Sequence, residues 1–354
     1  MEGFGMVKIN ERIISDVSPA FIIAEAACNH ICDMGLAKEM IDEAKKAGAD
    51  AIKFQTYRAE RLVCEDARAY WNYSTGAKSQ FEYYKKLDRF GRKEYKELFD
   101  YASDAGIIAF STPFDVDSAS MLNDLDAPLF KIASCDLVDT RLIRQVAKFG
   151  KPIIISTGAG TVEEIKGAVA TAFNAGNHDV ILMACTLSYP ADNQDAHLRR
   201  ILTFKRDFPE LLIGLSDHTR PDENMIIPSI AVALGARVIE KHFTLDRNMT
   251  GSGHSFCTEA KDFKKMVQNI RLTEVVLGEE EIKVYKAEEK AFVNARRSLV
   301  ADREIKKGEK ITSDLVGIKR PAGGLCASLI DKIIGKTALR DIKKDERIKL
   351  EDIK

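Results

Sequence analysis

The chain has 354 residues, 45% of them hydrophobic and 30% charged, a balance that suits a globular fold rather than extended disorder or a fibrous repeat. Its 53 Lys+Arg against 54 Asp+Glu leave a net charge of −1, which argues against a general nucleic-acid or anionic-membrane binder. The seven cysteines form no CxxC pair or zinc-finger spacing and read as reduced thiols. No basic, apolar signal-peptide pattern opens the sequence. The uncharged stretch 224–236 holds a proline and is too short to span a bilayer. These features predict a cytoplasmic protein with no membrane partner.

Short β-branched apolar runs recur along the chain at 21–24, 51–54, 107–110, 128–132, 153–156, 180–184, 211–215 and 237–240. Between them lie helix candidates, including 37–47, 92–105, 162–175 and 223–234, with apolar residues at three- and four-residue intervals. Gly48, Gly106, Gly150, Gly176 and Gly235 stand between a helix and the next strand, where glycine caps a helix in the left-handed conformation. Eight strand–helix units predict an α/β fold, a closed (β/α)8 TIM barrel with its chemistry at the C-terminal ends of the strands. Polar residues do gather there: Glu25, Lys53 and Gln55, Ser111 and Thr112, Lys131 and Ser134, Ser156 and Thr157, Thr186, Ser216 to His218, and Lys241 with His242.

The long segment 57–91 carries Tyr70, Trp71, Tyr73, Phe81, Tyr83 and Tyr84 and reads as an excursion over the barrel mouth or onto a partner. Packing or interface roles are expected of these rings more than sugar stacking. Beyond residue 278 the pattern changes. Residues 279–290 read as a charged connecting helix, and KKGE (306–309) and KKDE (343–346) as hairpin-like turns. The expected division is a barrel over 1–280, a linker over 281–295 and a small β-rich domain over 296–354. Residues 297–354 hold 15 Lys+Arg and 10 Asp+Glu, a net +5, against −6 for the remainder. That basic module is either an ordinary solvated surface or a cap over an anionic substrate.

Lys53 and Lys131 leave apolar strands and each needs a partner. Together with Thr112, Ser134, Ser156 and Ser216 they suggest a cradle for phosphate and carboxylate, with structural ion pairs or a Schiff-base lysine as alternatives. His218 and His242 end neighbouring strands, which lie about 4.8 Å apart, close enough for two imidazoles to share a divalent ion. His30 and His254 are further residues able to reach the mouth. Glu25 and Asp136 are candidate general acids or bases, or counter-ions to a lysine. Asp217 is placed either to orient His218 or to cap the next helix.

Eight motifs in order carry a resemblance: IIAEAACNH (22–30), GADAIKFQTY (48–57), FSTPFD (110–115), FKIASCDL (130–137), KPIIISTGA (151–159), GLSDHT (214–219), ALGARVIEKHFTLDR (233–247), and ARRSLVADREIKKGE with IKRP (295–309, 318–321). Together they resemble the sialic acid synthase family of phosphoenolpyruvate-dependent nonulosonate synthases, whose C-terminal module is an antifreeze-like SAF domain. The resemblance implies condensation of phosphoenolpyruvate with an N-acylamino sugar aldehyde, giving a nonulosonic acid and phosphate. It implies phosphoenolpyruvate contacts at Lys53, Thr112, Lys131, Ser134, Ser156 and Ser216. It also implies a divalent ion, typically manganese with magnesium or cobalt as alternatives, on His218 and His242. Glu25, Gln55 and Tyr189 match sugar or catalytic positions. Arg320 matches an SAF arginine that reaches the partner's sugar in a domain-exchanged homodimer.

The chain departs from the family pattern at the sugar end. Ile31 and Cys32 replace the NG of NHNG; Cys135 and Asp136 replace GE of KIASGE. Leu187 stands where Asn or Ser is usual, and Gly253 where an aspartate is expected. The phosphoenolpyruvate and metal positions are largely intact while the sugar end is altered, so the aldehyde need not be N-acetylmannosamine. Two other readings compete: a lysine Schiff-base aldolase on the same barrel, and a non-catalytic sugar-binding protein that keeps the SAF module.

Overall fold

All eight apolar runs form strands. The computed structural model describes residues 5–71 and 77–354, so Tyr73 lies outside the described residues. A short antiparallel hairpin comes first, β1 (Val7–Ile9) and β2 (Arg12–Ile14). The barrel strands follow: β3 (Phe21–Ala27), β4 (Ala51–Thr56), β5 (Ile108–Pro113), β6 (Phe130–Ile132), β7 (Ile153–Ser156), β8 (Val180–Cys185), β9 (Leu212–Asp217) and β10 (Val238–His242). They are parallel and close in sequence order, β10 pairing with β3. Helices such as Met34–Lys46, Arg92–Asp104 and Val162–Asn174 cover the outside. All five expected glycines adopt positive φ, from 67° at Gly150 to 101° at Gly235, where a Cβ would be strained.

Side chains alternate across each strand, so every second residue faces the barrel axis. At the N-terminal end this inward row is apolar: Phe21, Ile23, Ala51, Phe110, Leu129, Ile154, Ile181, Leu212 and Val238 pack as one buried cluster. Val7, Ile9 and Ile14 of the hairpin join it and plug that end. The same row, continued two residues at a time, turns polar at the C-terminal end: Glu25, Lys53, Thr112, Lys131, Ser156, Ser216 and Glu240. An apolar base and a polar top on one interior row place the site.

Two expected helices are corrected. The 223–234 helix starts only at Ile227, because Asp222 draws the amides of Asn224 and Met225 into a turn and Pro228 then fits the helix's first turn. The 279–290 segment is not one helix. Lys283 pairs locally with Glu279 and Glu281, and Ile282 and Val284 find no apolar face to join. Helical structure resumes only at Lys286–Glu288 and Glu289–Asn294.

Contacts divide the chain into two compact units, 1–278 and 279–354. The second has its own core, including Leu299, Ile305, Ile311, Leu315, Ile342 and Ile348. Its β11 (Ser298–Ala301) pairs antiparallel with β12 (Val316–Lys319). KKGE and KKDE are turns, but not hairpins closed on their own flanks. Ile305 exchanges backbone hydrogen bonds with Ile342, and Lys310 bridges to Thr337. The two segments pair with each other across the unit, each turn tied by its glutamate: Glu309 accepts from the Lys306 amide and Glu346 from the Lys343 amide, both at 2.8 Å.

Candidate active site

Two adjoining cavities occupy the C-terminal mouth of the barrel. The inner one is lined by the polar end of the inward row, with Lys53, Lys131, Glu25 and Glu240 at its floor. Lys53 Nζ lies 2.6 Å from Glu25 Oε2 and 3.7 Å from Glu240 Oε2, and donates to Thr112 Oγ1 at 2.9 Å. Lys131 has no carboxylate in ion-pair contact among the described residues. It donates to Ser156 Oγ at 2.6 Å and to the Ile132 carbonyl at 3.0 Å. Gln55 donates to Glu25 Oε1 at 3.2 Å, and Ser216 to Glu240 Oε1 at 3.0 Å. Glu240 Oε2 accepts no hydrogen bond.

This floor carries two ammonium groups at under 5% exposure, where an uncompensated charge is costly. Burial lowers Lys131, and the Lys53 charge adds to the fall. Burial acts the same way on Lys53, but Glu240 and Glu25 outweigh it and hold its pKa above the ordinary value. Burial raises Glu25 to about 7 against the pull of Lys53. Glu240 is also buried, yet Lys53 and Lys131 keep it below the usual carboxylate range. Two buried carboxylates beside one lysine are thus pushed apart, one toward the protonated form and one firmly ionised.

His218 and His242 line the inner cavity with ring centroids 5.2 Å apart. His218 Nδ1 sits 2.8 Å from the Thr186 carbonyl, which fixes the ring by an Nδ1–H donation and leaves Nε2 as the free donor atom. Burial lowers His242 well below the ordinary histidine value, so it stays neutral, the form that ligates. Burial acts the same way on His218, but Cys185 and the Thr186 carbonyl outweigh it and hold its pKa above the ordinary value, so the pair fits a divalent ion that displaces a proton from His218 and takes its remaining ligands from water or substrate. No cluster of three or more His, Cys, Asp or Glu forms a closed cage among the described residues. Tyr189 stacks on His218 at 4.3 Å and meets His242 edge-on at 5.6 Å.

The outer cavity lies above, and Gln55, Ser134, Tyr189 and His242 line both spaces. Its wall includes Tyr70, Trp71, Tyr83 and Tyr84 from the long excursion, so these rings face the mouth as well as packing on one another. Cys135, Leu187 and Gly253, three of the departures from the family pattern, line the same cavity. Ile31 and Cys32 do not. They hold positive φ of 43° and 58° beneath the excursion, Ile31 packing near Cys28 and Tyr57 and Cys32 donating to the Leu87 carbonyl.

Several candidates lie elsewhere. Asp136 ends a short turn (Ser134–Asp136) and lines neither cavity; burial, with Asp139 nearby, raises it to about 7. His30 stacks on Phe90, and His254 is fully buried against Thr244 Oγ1 at 2.7 Å; neither reaches the mouth. Asp217 neither orients His218 nor caps the next helix. It faces outward, takes an ion pair from Lys241 at 2.7 Å and holds the Thr219 amide and hydroxyl. Arg320 is exposed in the second unit, just beyond β12. Two inward residues escaped the sequence reading: Glu240, and Cys185, whose thiol lies 3.6 Å from Ser134 Oγ and 3.8 Å from His218 Nδ1. A glutamate inside the apolar run VIEKH was the available signal for the first.

The NeuB family model matches residues 40–282 and the SAF domain model residues 296–354. The chain belongs to the NeuB family. Among NeuB relatives it is 41% identical to an uncharacterised protein of Methanocaldococcus jannaschii, over 98% of each chain. It is 38% identical to the N,N'-diacetyllegionaminic acid synthase of Campylobacter jejuni, over 93% of this chain and 98% of that one. The crystal structure of N-acetylneuraminic acid synthetase from Leptospira borgpetersenii, in complex with citrate, matches with a TM-score of 0.74 at 34% identity. That match covers 82% of this chain and 96% of the other. The NeuB assignment agrees with the barrel and the SAF unit found here. No helix among the described residues is long and apolar enough to cross a membrane.

Proposed function

We propose that this NeuB-family enzyme condenses phosphoenolpyruvate with the aldehyde of an acylamino sugar, releasing phosphate and forming a nonulosonic acid. The observation that carries this reading is the floor of the inner cavity, where two buried lysines share one space with the hydroxyls of Thr112, Ser134, Ser156 and Ser216. Such a set suits a small ligand with both a phosphate and a carboxylate. In this reading Lys131, short of a counter-ion, takes one anionic group and Lys53 the other.

The enol carbon of phosphoenolpyruvate forms the new bond to the aldehyde carbon, water adds at the adjacent cationic carbon, and the C–O bond to phosphate breaks. Gln55, Ser134, Tyr189 and His242 mark the seam of the two cavities, where the two substrates would meet. Glu25, near neutral protonation, is placed to give a proton to the former aldehyde oxygen, while ionised Glu240 keeps Lys53 charged. His218 and His242 would hold a divalent ion, manganese by the family resemblance, which when bound polarises the aldehyde carbonyl. Asp136 is kept as a candidate proton carrier only through movement of its turn. The SAF unit, through Arg320, would cover the mouth of a second subunit in a homodimer; sedimentation of the purified chain as a monomer would remove that part.

The test is phosphate release from phosphoenolpyruvate across a panel of acylamino sugars with added manganese. Release that requires both substrates supports the condensation, and silence across the panel overturns it. One observation favours the aldolase alternative: lowered Lys131 resembles a nucleophilic amine. Borohydride trapping of a substrate adduct on Lys131 would establish that reading instead.

A further inference from the structure

Lys53 holds one oxygen of the Glu25 carboxyl and Gln55 the other, and the Gln55 amide is itself held in turn. A side-chain amide can present either its N–H groups or its carbonyl to a neighbour, and its partners decide which. The Cys28 thiol donates to Gln55 Oε1 at 3.6 Å, and Cys28 Sγ lies 3.4 Å from Tyr57 Oη. A thiol has one proton to give. With that proton on Gln55, the phenol is the donor of the second contact. The hydrogen bonds then run one way: Tyr57 O–H to Cys28, Cys28 S–H to the Gln55 carbonyl, and Gln55 N–H to Glu25. Cys28 and Tyr57 are each only 4% exposed, so water hardly competes for these contacts. Burial pushes the Cys28 thiol up to about 12 and the Tyr57 phenol well above its usual range, so both keep their protons.

The backbone is bent where this contact is made. The pairing of β3 with β4 shifts register between Glu25 and Ala27, and Ala27 takes a φ of 48°, which residues with a Cβ seldom adopt. Beyond that irregularity Cys28 meets Gln55, on β4, and Tyr57, just after it. The Tyr57 ring sits edge-on against Tyr84 at 5.3 Å and Phe114 at 5.9 Å. Tyr95 Oη donates to the Gln55 backbone carbonyl at 2.5 Å, so both ends of the chain of contacts are fixed.

We infer that Cys28, backed by Tyr57, is a positioning residue that holds the Gln55 amide with its N–H toward Glu25. This inference rests on the condensation proposed above, with Glu25 as the proton donor. Turned the other way, the Gln55 carbonyl would accept the Glu25 proton itself and keep it from the former aldehyde oxygen. Held as it is, the amide can only donate to Glu25, and the carboxyl proton stays available at the seam of the two cavities, which Gln55 lines. The anion floor is built separately, Lys131 on Ser156 and Lys53 on Thr112, so a change at Cys28 should reach the chemical step and leave phosphoenolpyruvate binding alone.

The experiment measures phosphate release and the thermal transition for Cys28→Val, Cys28→Ser and Tyr57→Phe. The substrates are phosphoenolpyruvate and the acylamino sugar that the parent protein turns over fastest. Cys28→Val keeps the bulk of the side chain without a donor. It should lower kcat by about tenfold, the worth of one hydrogen bond, with the KM for phosphoenolpyruvate and the thermal transition close to the parent's. Cys28→Ser restores a donor and should recover most of that loss. Tyr57→Phe leaves the thiol free to turn and should fall between the two. A Cys28→Val enzyme as fast as the parent, or a Cys28→Ser enzyme as slow as Cys28→Val, makes the position a matter of packing. Either result overturns the inference and leaves the condensation standing, as does a loss that appears in the KM for phosphoenolpyruvate rather than in kcat. If the valine variant fails to fold, Cys28→Ala gives the same contrast with serine. No release from the parent with any sugar overturns the condensation and this inference together.

Discussion

Glu25 and Lys53 face each other across neighbouring strands, register partners whose charged atoms lie 2.6 Å apart with almost no solvent at either. Burial still wins over this contact and raises the carboxyl to about 7. Glu25 is therefore protonated below that pH and ionised above it. If it donates a proton in the rate-limiting step, kcat/KM should fall on the alkaline side with a midpoint near 7. Glu25→Gln should cost about 10²-fold or more in kcat and remove that limb of the pH profile. An unchanged alkaline limb in the variant would assign the proton to another group.

The two floor lysines should differ on mutation. Lys131 has only Ser156 and a carbonyl as hydrogen-bond partners, and Glu240 keeps Lys53 as its nearer counter-ion, so Lys131→Ala breaks no ion pair and removes an anion contact worth roughly 1.5–3 kcal/mol. Phosphoenolpyruvate binding by calorimetry should weaken by about 10- to 100-fold while the thermal transition barely moves. Lys53→Ala strips the counter-ion from Glu25 and Glu240, and should lower thermal stability as well. Equal stability losses in the two variants would contradict this division.

The barrel was legible because strands buried on both faces read as unbroken apolar runs, and a lysine or glutamate at such a run's end stands out. The same rule hid Glu240. It sits within VIEKH, and only strict alternation separates inward Glu240 and His242 from outward Lys241. The β1–β2 hairpin was missed because three-residue strands around Asn10-Glu11 show no period. In the second unit, turn chemistry located KKGE and KKDE, but the pairing of Ile305 with Ile342 spans 37 residues and leaves no local signature. Asp136 looked like a strand-end carboxylate, yet a single turn carries it away from both cavities.

The histidine pair predicts a metal dependence that can be read without turnover. His218→Ala and His242→Ala should each weaken manganese binding by on the order of 100-fold in equilibrium dialysis. Chelation should abolish activity of the parent protein, and added divalent metal should restore it. Full metal binding by either variant would move the ligands elsewhere.

Outside the cavity, Asp217 and Lys241 form an ion pair in which both side chains are about 2% exposed. Lys241 also donates to the Thr219 carbonyl and hydroxyl, so its charge is well satisfied while Asp217 is present. Asp217→Ala leaves a buried ammonium with neutral partners only and should destabilise the barrel by about 3–5 kcal/mol. Replacing both, Asp217→Leu with Lys241→Met, removes the stranded charge and should recover much of that loss, because a buried pair is costly to break yet contributes little over a packed apolar pair. Urea unfolding of the two variants separates the outcomes: a double variant no more stable than Asp217→Ala would mean that the pair's hydrogen bonds to Thr219, rather than its charge balance, hold this side of the barrel.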